Sequence, residues 1–451
     1  MINDLSSLWC VDSGILDVKD CRKRLCRVKL AVHRHEISGV TLSISQPAAA
    51  YNKLFQYYER EQFLPTFGNF DTEAKLDAYA LARRRVFDEK LMLPIQAFNG
   101  ASVLQFGPDS GEDALVFAKW GANLTLAEPN ARARSQIRSY FDRFALNDRL
   151  LALGADDIEG FPGDQTYDII DAEGFIYTVQ PSDLWLSKFG RHLNPGGFSI
   201  VTYYGKYGGF LELALKAIHS AYKTLTLSGP EDAAQALYRT KWDSIPHTRA
   251  FGSWLRDVLE NPFVRLRYFI DAAEICRSAD YHGFDLYSSW PVYRDTLDIY
   301  WHKKRLSTGD TLRRNLGHIK RSPLSFLSGQ KMYLAGDATE VDALTELSEA
   351  LLSHVDALIE APLGERLAAF RLGLKALRLS VRSANILVDD PSAIDEFETL
   401  IEALEQIFLA VSRKDADGIA RLTNSHPSFI SAWGIPNHLL VLRKRLDATQ
   451  G

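Results

Sequence analysis

The stretch SVLQFGPDSGEDALVFAKWGANLTLAEPN, residues 102–130, decides the fold. SVLQF is a short apolar run, stopped by Gly107 and Pro108. EDALVFAKW has helical spacing and is closed by Gly121, and NLTLA is a second apolar run. A strand, a glycine-bearing loop, a helix and a second strand form the opening unit of a parallel sheet covered by helices. Glycines at 107 and 111 allow a sharp turn and close approach of a ligand to the backbone.

The same rhythm continues outward. ARARSQIRSYFDRFAL reads as a helix, RLLALGAD as the third strand and YDIIDAEG as the fourth. PSDLWLSKFGRHL reads as a helix ended by NPGG, and FSIVTYY as the fifth strand. Residues 206–270 break the alternation with helical, aromatic-rich sequence. AAEICRSADYHGF then predicts a helix, DLYSSWP a strand, and TLDIYWHKK an antiparallel neighbour at the sheet edge. The expected class is α/β, a Rossmann-like parallel sheet with an antiparallel edge hairpin, over residues 101–305. Before it, residues 1–50 read as a small β-rich element, in which RVKLAVHRHEI and GVTLSIS alternate apolar and polar residues. Residues 51–100 read as a helical lead-in or lid, capped at Asp71 or Thr72. Residues 310–451 are Leu- and Ala-rich with helical periodicity and predict an all-α C-terminal domain. Such a domain suits homodimerisation or the holding of a partner.

The chain has 451 residues, 46% hydrophobic and 24% charged, which is ordinary for a globular protein able to bury large cores. With 52 Lys+Arg against 57 Asp+Glu, the net charge of -5 disfavours a nucleic-acid binder. Nothing approaches the roughly 20 apolar residues of a membrane helix. No basic region leads an apolar run at the start, and four cysteines do not make a disulfide scaffold, so a cytoplasmic protein is expected. Cys21, Cys26, His33 and His35 match no zinc spacing, and no metal is expected.

Glu128 follows the second strand about 20 residues after the glycine loop, where a carboxylate can accept hydrogen bonds from ribose hydroxyls. Asp156, with Asp157 as its alternative, follows the third strand, where a carboxylate can meet an adenine amino group. Taken together, VLQFGPDSG, LTLAEPN, YDIIDAEGFIYTV and LNPGGFSIV, in this order, resemble the class I S-adenosylmethionine-dependent methyltransferases over the 101–304 block. The resemblance implies S-adenosylmethionine as cofactor. Gly107, Asp109 and Gly111 would shape its methionine pocket, Glu128 would hold the ribose and Asp156 or Asp157 the adenine. Gln105 stands where the family has an acid, and Asp109 where it has a middle glycine. By the same resemblance, Asp171, Glu173 and Tyr177 lie near the transferred methyl group, with Glu173 and Tyr177 as candidate catalytic groups. His247, in the loop SIPHTRAFGSW of the insertion, is a third. DAEGFIY lacks the Asn/Asp-Pro-Pro-aromatic tetrad of base-methylating members, so the expected acceptor is a small or sugar-containing molecule. Tyr203, Tyr204, Tyr207, Phe210, Trp242 and Arg249 of the insertion offer walls for it or ordinary core packing.

Two alternatives remain at this level. One is a cofactor-binding scaffold that has lost activity, motivated by Gln105 and Asp109. The other is an NAD-dependent oxidoreductase. Asp109, Glu112 and Asp113 would repel a pyrophosphate on the helix N-terminus, whereas a sulfonium is cationic and suits an acidic loop. ARRR at 82–85 reads as a solvated or acid-paired helix face, with an anion-binding patch as the alternative.

Overall fold

A computed structural model of the chain describes residues 54, 56–61, 64, 70–155, 165–178, 183–245, 249–294 and 306–446. The β-rich element at 1–50 with its Cys/His cluster, the strand expected at 296–304, and Asp156, Asp157 and His247 lie outside the described residues.

Seven strands form the main sheet: β1 Ser102–Phe106, β2 Asn123–Ala127, β3 Leu150–Gly154, β4 Tyr167–Ala172, β5 Leu193–Tyr204, β6 Phe284–Trp290 and β9 Asn437–Lys444. Their order is β3-β2-β1-β4-β5-β9-β6. The first five pair in parallel, and β9 runs antiparallel to both β5 and β6. A separate two-stranded sheet pairs β7, Met332–Leu334, with β8, Ile386–Val388.

Because side chains alternate across a strand, each strand feeds two cores. Val103, Ile169, Ile200 and Val441 face one core. There α1 (Glu73–Arg85), α2 (Glu112–Lys119) and α3 (Ala131–Arg143) pack with Phe87, Phe98 and Phe117. Leu104, Ile170, Val201 and Leu442 face the other, with α4 (Asp183–His192), α5 (Phe210–Thr226), α6 (Pro230–Asp243), α7 (Phe251–Trp254) and α8 (Ala272–Tyr281). The lead-in helix α1 is capped by Thr72, whose side chain accepts from the N–H of Lys75, and α3 by Asn130, which accepts from Arg132 and Ala133.

The α/β class holds, but the antiparallel strand next to β5 differs from the expectation. It comes from residues 437–444. The region expected to follow the sheet as an all-α domain instead lies between β6 and β9. It holds α9 (Thr308–Lys320), α10 (Pro323–Ser328), α11 (Ala338–Glu360), α12 (Arg366–Ser383), α13 (Ser392–Ser412), α14 (Ala416–Ser425) and α15 (Pro427–Ser431), together with the β7–β8 pair. Its apolar stripes (Leu351, Val355, Phe370 and Phe408 among them) belong to the same core as Leu104 and Val201. Ion pairs tie it to the segment between β5 and β6: Arg265 meets Asp356 at 2.8 Å, and Lys206 meets Glu349 at 2.5 Å. Among the described residues no helix is long and apolar enough to cross a membrane.

Candidate functional site

The C-terminal ends of β1, β2 and β4 converge on one pocket, where open parallel sheets leave their ligand crevice. After Phe106 the chain turns through a loop with positive φ at Gly107 (56°), Asp109 (48°) and Gly111 (91°). A β-carbon at Gly107 would lie 3.1 Å from the Phe175 ring, and one at Gly111 only 2.7 Å from Ile137 Cγ1. Gly111 therefore serves helix–helix closeness of α2 and α3, while Asp109 accepts a left-handed backbone because a short polar side chain tolerates it. Gly111→Ala is expected to cost about 2–3 kcal/mol, from the strained φ and the overpacking together, read as a lower midpoint in urea unfolding.

The left-handed turn aims the Asp109 N–H at Glu128 Oε2, 3.1 Å away, while Glu128 Oε1 accepts the N–H of Asn130 at 2.8 Å. Glu128 is 3% exposed. Burial pushes its carboxyl up to about 7, against the pull of those two N–H donors. Asp109 is pushed well above the usual carboxylate range, first by burial and then by the charges of Glu128 and Asp257. Each Glu128 oxygen keeps a free lone pair for an incoming hydroxyl donor.

One layer below, the register Gln105↔Asp171 places two buried polar side chains side by side, and Gln105 Nε2 donates to Asp171 Oδ2 at 2.9 Å. Gln105 Oε1 and Asp171 Oδ1 are buried without hydrogen-bond partners. Asp171 is raised well above its ordinary value, mainly by burial, then by Glu173 and Asp113. Glu173 follows β4. One of its oxygens meets the Arg83 guanidinium, and the other accepts from Thr202 Oγ1 at 3.2 Å. Arg83 Nε also reaches Asp113 at 2.8 Å, and Tyr79 donates to the same carboxylate at 3.0 Å. Burial raises Asp113 to about 6 even with Arg83 beside it.

The pocket lies between Gly107, Asp109, Glu128, Asn130, Glu173 and Tyr58. Among the described residues, three carboxylates and no cationic side chain line it. That donor set fits a ligand offering hydroxyl donors and positive charge, and it disfavours a pyrophosphate. The loop in which Gly107 has no side chain and the lone pairs of Glu128 that the two N–H donors leave open fit S-adenosylmethionine. Gly107 and Asp109 would flank its methionine part and Glu128 its ribose.

The structure thus brings together Gln105, Gly107, Asp109, Gly111, Glu128, Asp171 and Glu173. The backbone of Tyr177 follows in the turn Ile176–Thr178. The insertion aromatics do not line the pocket. Trp242 packs with Phe251, Trp254 and Trp433, Tyr204 stacks on Phe269 at 5.2 Å, and the Tyr203 hydroxyl meets that of Tyr293 at 2.7 Å. Arg83 is acid-paired rather than solvated, 13% exposed, and Arg84 pairs with Asp88 on the surface. Two groups at the site have no counterpart in the reading of the sequence: Asp113 as the partner of Arg83, and Asp257 behind the pocket wall. Tyr58 in that wall belongs to the segment expected as a lead-in or lid. Asp257 has no signal in the sequence, since it reaches Asp109 only through the fold.

Residues 79–289 match the family model of a methyltransferase domain. No curated protein sequence matches the chain. Among solved structures, an S-adenosylmethionine-dependent methyltransferase from Clostridium acetobutylicum ATCC 824 is 16% identical, covering 35% of this chain and 58% of its own, with a TM-score of 0.23. The CcbJ methyltransferase from Streptomyces caelestis is 16% identical, covering 28% and 57%, with a TM-score of 0.23. The [4+2]-cyclase SpnF is 12% identical, covering 88% and 93%, with a TM-score of 0.32. The chain spans under two thirds of the length of the first two. At these TM-scores the likenesses carry no argument.

Proposed function

We propose, from the match of residues 79–289 to the family model of a methyltransferase domain, that this chain is a class I S-adenosylmethionine-dependent methyltransferase that moves a methyl group to an oxygen or nitrogen of a small-molecule or sugar-containing acceptor. When bound, the cofactor supplies an electrophilic methyl group on a sulfonium. The observation that carries the reading is the pair formed by buried Glu128 and half-buried, left-handed Asp109, two carboxyl groups at the switch of the parallel sheet, joined through one backbone N–H. Around them the chain binds and orients, and much of the rate in such a displacement comes from alignment. Glu173, held by Arg83 and Thr202, is a fixed wall of the pocket and supports an orienting role. Tyr177 and His247 remain the proposed acceptor-side groups. The same two acidic groups speak against an NAD-dependent reading, because a pyrophosphate at this loop would meet them with no cationic side chain to pair with among the described residues.

Calorimetry with S-adenosylmethionine and its demethylated product tests the reading: binding of neither would sink it. Glu128→Gln is expected to weaken binding by about 1.5–3 kcal/mol, the worth of hydrogen bonds to a charged group. The pH dependence carries a sign. Hydroxyl donors favour the ionised carboxylate, while burial in the free protein holds Glu128 near 7. Affinity therefore rises with pH up to about 7 and falls about tenfold per pH unit below it. In Glu128→Gln this part of the slope disappears. Turnover against a panel of hydroxyl and amine acceptors separates an enzyme from a binding scaffold.

A further inference from the structure

Two consecutive tyrosines of the lead-in fasten to two consecutive residues of the insertion. The Tyr57 hydroxyl donates to the Arg256 carbonyl at 2.6 Å, and the Tyr58 hydroxyl to Asp257 Oδ1 at 3.0 Å. Tyr57 is 5% exposed, and Tyr58 lines the pocket. Asp257 sits in a π-turn, Leu255–Leu259, a backbone irregularity that often marks functional positions. Its other oxygen takes the Arg249 guanidinium. Behind it lies Glu212 on α5, half-buried, with one buried oxygen lacking a hydrogen-bond partner, and pushed up to about 7 by desolvation. Toward the pocket, the charge of Asp257 acts on Asp109, which also faces Glu128, Glu112 and Asp113. Arg249 therefore serves two carboxylates, with Lys216 also acting on Glu212, and Asp257 stands at the junction of the lead-in, the insertion and the glycine loop.

We propose that Asp257 is a positioning residue that holds Tyr58 in the pocket wall, so that the insertion governs how fast the bound cofactor leaves. The proposal rests on reading the pocket as an S-adenosylmethionine site. Without the carboxylate, Tyr58 loses this hydrogen bond, and the lead-in loses one of the bonds that hold it against the insertion. Release then speeds up, although no group touching the ligand has changed.

The test is stopped-flow release of S-adenosylhomocysteine from the full chain, with calorimetry alongside. Asp257→Ala and Tyr58→Phe are each expected to raise the release rate about tenfold, as for one lost charge-assisted hydrogen bond. The double variant is expected to be no faster than either single one, because both remove the same bond. A pH series separates positioning from general loosening. Asp257→Ala removes a charge that holds the Asp109 carboxyl up, so the part of the affinity profile set by Asp109 moves to lower pH while the part set by Glu128 stays, whereas Tyr58→Phe leaves both in place. Wild-type release rates in both variants, or additive effects in the double one, would overturn the proposal. Should Asp257→Ala fail to fold, Tyr58→Phe, which keeps its ring, decides the matter alone. A wild-type chain that binds neither form of the cofactor overturns the functional reading itself, and this proposal with it.

Discussion

A chain cut after Pro436 is expected to yield no cooperatively folded monomer. The cut removes β9, which is hydrogen-bonded along its length to β5 on one side and β6 on the other. Tyr204 pairs with Asn437 at one end of the β5 ladder and Phe198 with Arg443 at the other. Leu440, Val441 and Leu442 are fully buried and Leu439 nearly so, with alternate side chains feeding the two cores. At about 1.5–3 kcal/mol for each buried aliphatic side chain, four of them account for about 6–12 kcal/mol. That is comparable to the whole stability of a typical domain, about 5–15 kcal/mol. The loss also leaves β5 with an open apolar edge, a template for aggregation. The measurement is soluble yield and a thermal unfolding transition, followed by addition of a peptide spanning 437–446. Recovery of the transition on adding the peptide is the expected result. A truncated chain that unfolds cooperatively without it would show that β9 is dispensable.

The second large effect is expected at Arg83. Arg83→Leu removes the cation shared by Asp113 and Glu173 while leaving both carboxylates where burial holds them. Breaking a buried pair from one side typically costs about 3–5 kcal/mol. The cost must depend on pH. Arg83 now lowers the Asp113 carboxyl, which burial nevertheless raises to about 6. A carboxyl whose folded-state value lies above its unfolded one destabilises the fold as it ionises, and without Arg83 that value rises further. The stability of the variant therefore falls more steeply than that of the wild type as pH rises from about 4 to above 6. Urea unfolding at pH 5.5 and 8.0 checks it, with the larger deficit expected at 8.0. Equal deficits at both would mean that the loss comes from packing against Phe87, over whose ring Arg83 lies at 5.1 Å, and not from charge. Glu173 would also lose its fixed orientation in the pocket, so cofactor binding is expected to weaken in the same variant.

Much of this was legible in the residues. The alternation from 101 to 204 located every parallel strand, because apolar runs broken by glycine and proline are set by local geometry. The loop at 107–111 and the acid at 128 were legible for the same reason, since a strand end and a turn fix where their side chains emerge. Arg83 was partly legible. Leu76, Ala80, Arg83 and Phe87 recur at helical spacing, so this arginine lies on the buried stripe of its helix while Arg84 and Arg85 do not. What periodicity cannot supply is the identity of the partner. It marks Arg83 as inward but does not name Asp113 or Glu173.

The sequence by itself determined the class of sheet, the strand–loop–helix cradle and the carboxylate at the end of β2. These depend on residues within about one element of each other, where backbone preference and side-chain alternation act alone. Only the tertiary structure decided three things. It drew the strand beside β5 from residues 437–444, it folded the helices between β6 and β9 into the same core, and it set Asp257 against Tyr58 and Asp109. Each is a contact between distant segments, selected by which apolar faces and which charges remain uncovered once the local elements have formed. An apolar run such as HLLVL declares that it will be buried. Against what it is buried is settled by the competition of all the surfaces in the chain.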